Sequence, residues 1–128
     1  MQHIIGTPRE QITLFPEAIE DYISPDNPVR FMDAFVDSLE MVDLGFQHAT
    51  VKDTGRPPYD PKDLLKLYLY GYLNRIRSSR LLERETQRNL EVLWLLKRLS
   101  PDHKTISDFR RAHPEALRKV FKQFVLLC

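Results

Sequence analysis

Leu64, Leu65, Leu67, Tyr68, Leu69, Tyr70, Tyr72, Leu73 and Ile76 crowd apolar side chains onto almost every side of one helical turn after another. The spacing does not alternate as a half-buried strand would, and it leaves no broad polar face. A helix of this kind is stable only when other elements enclose it. Asp60 is a good N-cap, with Pro61 at the first helical position and Asp63 in the first turn, where a carboxylate meets the positive helix end. This segment is therefore predicted as the central helix. Gly71 in its middle costs about 1 kcal/mol relative to alanine, which predicts a close approach by a neighbour there. Tyr68, Tyr70 and Tyr72 read as core and packing edge rather than as a base-stacking platform.

The flanking segments supply the enclosure. The first dozen residues lack a period and read as an arm, and Leu14-Phe15-Pro16 starts a short helical turn through Ile19 and Tyr22. Ser24-Pro25-Asp26-Asn27-Pro28 breaks the chain, and Asn27 then caps a helix. Val29, Met32, Phe35, Val36 and Leu39 form its apolar face, Asp33, Asp37 and Glu40 the other, and Gly45 closes it. Residues 46–59 read as a loop, because Gly55 and Pro57-Pro58 forbid helix. Beyond the central helix, Ser78 or Ser79 caps a further helix that ends near Asn89, with Leu81 and Leu82 facing away from its arginines. Glu91 to Leu99 reads as a largely buried helix around Trp94. Thr105-Ile106-Ser107-Asp108 matches a capping box, and His113-Pro114 keeps the helix it starts short. In the last helix Leu117, Val120, Phe121, Phe124 and Val125 form the inner stripe, while Arg118, Lys119 and Lys122 face out. The prediction is all-α: a compact multi-helix domain containing a helix-turn-helix-like unit, with an irregular N-terminal arm. Residues 1–27 are assigned to the arm and short helix, and 28–128 to the helical domain.

Few chemistries fit. The 128 residues suit one domain. No apolar run reaches the roughly 20 residues of a membrane helix, and the start lacks the pattern of a secretory signal. A lone Cys128 fits a reducing, cytoplasmic setting. His3, His48, His103 and His113 are scattered without metal-ligand spacing, and the carboxylates show no catalytic spacing. No catalytic residue, metal, cofactor or small-molecule substrate is expected in these residues. The net charge of +1 conceals a division: residues 1–50 carry two basic against nine acidic side chains, and the remainder carries 17 against nine. That asymmetry points to one polyanion-facing surface, or to two halves that attract each other.

Two cationic groups carry the functional reading. Glu91 to His113 has the form of a helix-turn-helix, in which the start of the second helix meets base edges in the major groove. Lys104, Thr105 and Ser107 would lie there, Arg110 and Arg111 one turn on, with Ile106 and Phe109 as anchors. Arg77, Arg80, Arg84 and Arg88, at i, i+3, i+7 and i+11, would line one face of the preceding helix and suit a phosphate backbone. The bland alternatives are a helical corner with solvated charges, pairing with Glu83 and Glu85, and docking onto the acidic first third.

Gly55-Arg56-Pro57-Pro58-Tyr59-Asp60-Pro61, Leu69-Tyr70-Gly71-Tyr72-Leu73, Arg77-Ser78-Ser79-Arg80-Leu81-Leu82-Glu83, Trp94-Leu95-Leu96 and Pro101 to Arg110 resemble, in that order, the InsH-type N-terminal domain of bacterial insertion-sequence transposases. The resemblance covers most of the chain. It implies a DDE transposase of the cut-and-paste kind, which binds terminal inverted repeats of double-stranded DNA near the nucleoid. Its divalent metal, magnesium in the first instance, and its catalytic carboxylates belong to a ribonuclease-H-like domain. No acidic residue of this chain is carried over as catalytic, since the sequence stops before the first such strand. The alternatives are an oligomerisation module, with the acidic helix at 28–40 against another copy's basic face, and a stand-alone helix-turn-helix regulator.

Overall fold

Helix α3 (Pro61–Asn74) is the element around which the others pack. The computed structural model describes residues 3–10, 18–46 and 59–127, and every regular element among them is helical. Asp60 accepts the Lys62 amide at 2.9 Å, with Pro61 at the first position, as its sequence requires. Leu65, Leu67 and Leu69 are wholly buried, as are nearly all of Tyr68 and Tyr70, while Tyr72 is half exposed at the edge. A Cβ on Gly71 would lie 2.7 Å from the Ile76 carbonyl oxygen and 2.9 Å from Leu82 Cδ2. The close approach is thus made by the chain's own reversal and by a leucine of the next helix. Arg75 turns that corner at φ 60°, and the Ile76 amide returns to the Gly71 carbonyl at 2.8 Å.

A 3-10 turn at Ile19–Tyr22 leads to α1 (Pro28–Asp37), capped by Asn27. The turn of helix expected to start at Leu14-Phe15-Pro16 falls partly outside the described residues, as do Gly55 and Pro57-Pro58 of the expected loop. Helix α1 stops earlier than its apolar spacing implies. The Ser38 hydroxyl donates to the Phe35 carbonyl at 2.6 Å, a local bond that competes with helix continuation. A separate short helix α2 (Met41–Leu44) follows, and Gly45, at φ 94°, caps this one instead.

Asp33 does not face solvent, contrary to the reading of α1 as apolar on one side and acidic on the other. Its Oδ1 accepts from Lys66 Nζ at 2.7 Å and from Arg9 Nη2 at 2.8 Å, and Lys66 also reaches Asp37 at 2.9 Å. Lys66 is buried in the otherwise apolar α3. Burial acts to lower its pKa, but the bonds from Asp33 and Asp37 prevail and hold it above the ordinary lysine value. The arm is fastened by the same cluster. Arg9 Nε donates to the Trp94 carbonyl at 2.8 Å, its guanidinium lies 4.1 Å from the Trp94 ring centre, and the Thr7 amide donates to the Lys97 carbonyl at 2.8 Å.

Helices α4 (Ser79–Arg88) and α5 (Leu90–Leu95) meet at Asn89, which closes the first and caps the second by accepting from the Glu91 amide at 2.9 Å. The buried helix expected over Glu91 to Leu99 is therefore shorter and starts earlier. Lys97 and Arg98, at φ 53° and 66°, turn the chain out of it. Helix α6 (His103–Ala112) and helix α7 (Pro114–Leu127) complete the fold. Phe124 of α7 packs 5.1 Å from Phe35 and 5.4 Å from Phe31, ring centre to ring centre. Val125 stands half exposed rather than within the inner stripe.

Candidate nucleic-acid interface

Helix α6 is held from two sides. Against it packs α4, whose buried residues are Leu82 and Thr86, opposite the buried Ile106 and Phe109 of α6. From α3, the Tyr68 hydroxyl donates to the Ile106 carbonyl. Burial pushes the Tyr68 phenol above its ordinary pKa, with the Arg110 charge opposing, so the donor keeps its proton. The helix that backs α6 most extensively is thus α4, not the preceding α5 that a linear helix-turn-helix reading would place behind it.

The start of α6 also differs from the expected capping box. Asp102, not Thr105, is the N-cap, and its Oδ1 accepts the Thr105 amide at 2.8 Å. That bond and the nearby His103 and Lys104 hold the Asp102 carboxyl below the ordinary range. Thr105 lies inside the first turn, and Asp108 bonds Arg111 one turn on instead of reaching back. Glu83 of α4 completes the cap, accepting the His103 amide at 3.2 Å, with its other oxygen 3.5 Å from His103 Nδ1. Sequence reasoning missed this helix-to-helix link. The signal for Asp102 was present, an Asp three residues before Thr105, but the threonine pattern was the more conspicuous match.

Arg80, Arg84 and Arg88 lie on one exposed face of α4. Arg77 does not belong to that helical stripe: it precedes the N-cap Ser78, whose Oγ accepts the Leu81 amide at 3.3 Å. Leu82 points inward as expected, but Leu81 is 42% exposed beside the arginines. On α6, Lys104, Ser107, Asp108 and Arg111 share one face, with Lys104 and Arg111 exposed and Ser107 half-buried. Thr105 is half-buried on another. Arg110 is exposed but tied back: Nη2 donates to the Arg77 carbonyl at 2.6 Å, and its guanidinium lies 5.0 Å from the Tyr68 ring centre.

Among the described residues, the acidic first third does not neutralise these groups. Its ion pairs run to Arg9, Arg30 and Lys66, and Lys62 reaches the Asp37 carbonyl. Arg88 pairs with Glu85 and Arg111 with Asp108, each within its own helix. The Arg88 bond draws the Glu85 carboxyl below its ordinary pKa. Exposed pairs of this type are worth well under about 1 kcal/mol and yield readily to another anion. Arg77, Arg80, Arg84, Lys104 and Arg110 form no ion pair among the described residues. These cations are exposed at the α3–α4 corner, on α4 and on α6. No group of three or more histidine, cysteine, aspartate or glutamate side chains suited to a metal occurs among the described residues. No helix among the described residues is long and apolar enough to cross a membrane.

The described residues form an all-α domain with exposed cations on α4 and α6. Residues 17–112 match the model of the family described as "Transposase domain (DUF772)", and the chain belongs to that family. No curated protein and no solved structure matches the chain.

Proposed function

We propose that this chain is the DNA-binding domain of an insertion-sequence transposase and recognises the terminal inverted repeats of its element as double-stranded DNA. The carrying observation is the set of exposed cations that form no ion pair among the described residues, Arg77 at the α3–α4 corner, Arg80 and Arg84 on α4 and Lys104 on α6, in a chain of a transposase family. In this reading the α4 arginines hold phosphate, and the exposed row of α6 enters the groove. In it α4, rather than the preceding α5, supports the reading helix. Strand cutting and rejoining are left to a separate metal-dependent catalytic domain of the DDE kind.

The test is binding of the chain to a terminal-repeat duplex and to a scrambled duplex as salt rises. Binding to both that weakens steeply with salt, with a residual preference for the repeat, is the expected result. Equal and negligible binding to both defeats the reading. A second reading is favoured by one observation: Asp21, Asp26, Glu40 and Asp43 are exposed and form no ion pair among the described residues. That acidic surface suits another copy's basic face. A salt-sensitive dimer without DNA affinity would put this assembly role in place of DNA binding.

A further inference from the structure

We propose that Arg110 is a positioning residue, not a base-reading one, and that it joins the α3–α4 corner to α6 so that Arg77 and the outward row of α6 grip DNA as one rigid unit. The inference rests on the DNA-binding reading above and assigns roles within it. Its basis is geometric. Residues 75–78 form the reversal between α3 and α4, and that reversal is exposed at Arg75, Arg77 and Ser78. Main-chain bonds fasten its beginning, from the Ile76 amide to the Gly71 carbonyl, and its end, from the Leu82 amide to the Ser78 carbonyl, where the Ser78 hydroxyl oxygen also accepts the Leu81 amide. The Arg77 carbonyl between them is taken by Arg110 Nη2 at 2.6 Å, from the middle of α6.

Tyr68 braces the same joint. Its ring lies 5.0 Å from the Arg110 guanidinium carbon, and its hydroxyl holds the Ile106 carbonyl, one turn before Arg110. A guanidinium held by a carbonyl and an aromatic face keeps its full charge but loses the freedom to fork onto a guanine edge. Base reading then falls to Lys104, Ser107 and Arg111. Asp108, bonded to Arg111, orients that guanidinium and offers an acceptor of its own to a cytosine amino group.

A double-mutant cycle on a fluorescent random-sequence duplex tests this. Arg77→Ala removes the side chain but leaves the carbonyl, so the Arg110 link survives. It should weaken binding and lower the salt slope by about 0.9, the share of one phosphate. Arg110→Ala should lower the slope by the same amount, because it releases Arg77. The double variant should lower it no further, a non-additivity expected of a coupled pair. Arg110→Lys should restore binding to within about twofold, since one donor suffices for a carbonyl, whereas a bidentate reader is not replaced by lysine. It also carries the test if Arg110→Ala fails to fold.

Additive slopes, or failure of lysine to restore binding, overturn the inference. So does a changed preferred sequence when Arg110→Lys is selected against a duplex pool. Those outcomes leave DNA binding intact. Absence of any binding by the unsubstituted chain removes the DNA reading itself, and this assignment with it.

Discussion

Replacing Asp33 by alanine tests the buried charge cluster that fastens arm, α1 and α3 together. Asp33 Oδ1 accepts from Arg9 at 2.8 Å and from Lys66 at 2.7 Å, and both donor side chains are largely buried. Charge-assisted bonds of this kind contribute about 1.5–3 kcal/mol each. Removing one partner of a buried ion pair costs about 3–5 kcal/mol, because the other charge is left desolvated. Two features soften that loss. Lys66 retains Asp37 at 2.9 Å, and Arg9 retains the Trp94 carbonyl at 2.8 Å. The expected cost of Asp33→Ala is therefore about 3 kcal/mol, at the lower end of the range. Lys66→Met behaves differently. It removes a buried ammonium, fills its space with an apolar chain, and leaves Asp33 paired with Arg9. Its expected cost is below about 1 kcal/mol. Urea unfolding followed by far-ultraviolet circular dichroism measures both, with Trp94 fluorescence as a second probe. If Asp33→Ala stays within about 1 kcal/mol of the parent, or Lys66→Met costs as much as Asp33→Ala, the account of this cluster is wrong.

Burial, only partly offset by Lys66, pushes the Asp63 carboxyl up to about 6 from its ordinary value of 3.8. A carboxyl whose folded pKa is raised removes stability as pH climbs from the unfolded value through the folded one. Asp63→Asn should therefore be more stable than the parent at pH 7, by up to about 3 kcal/mol, with the difference gone at pH 3; equal stability at both pH values refutes this. Arg75 occupies the left-handed region at φ 60°, which costs a non-glycine residue roughly 1 kcal/mol. Arg75→Gly should raise the thermal midpoint by about 3–5 °C, and a lowered midpoint in differential scanning calorimetry would show that the Arg75 side chain stabilises the corner.

The helical class, the central position of α3 and its Asp60-Pro61 start were legible because each rests on local chemistry: an apolar run, a capping carboxylate and a proline where no amide is needed. The motifs shared with insertion-sequence transposases were legible for the same reason, as ordered residues along one chain, and the family match over residues 17–112 agrees with them. Charge could be counted in the sequence, but its neighbours could not. The arginines of α4 read equally well as a phosphate grip or as partners for the acidic first third. Only packing decided that Arg9, Arg30 and Lys66 take Glu20, Asp33 and Asp37 of that third. Likewise Asp33 sat at a position that looked solvent-facing, and Lys66 was one polar residue in an apolar run. Their burial depends on two helices and the arm meeting at one point. Glu83 at the start of α6 and Arg110 on the Arg77 carbonyl are links of 20 and 33 residues. Spacing along a chain specifies which side chains share a face, because helical geometry is local. Which faces meet is settled by how the whole set of helices encloses its apolar surface, and no single segment carries that information.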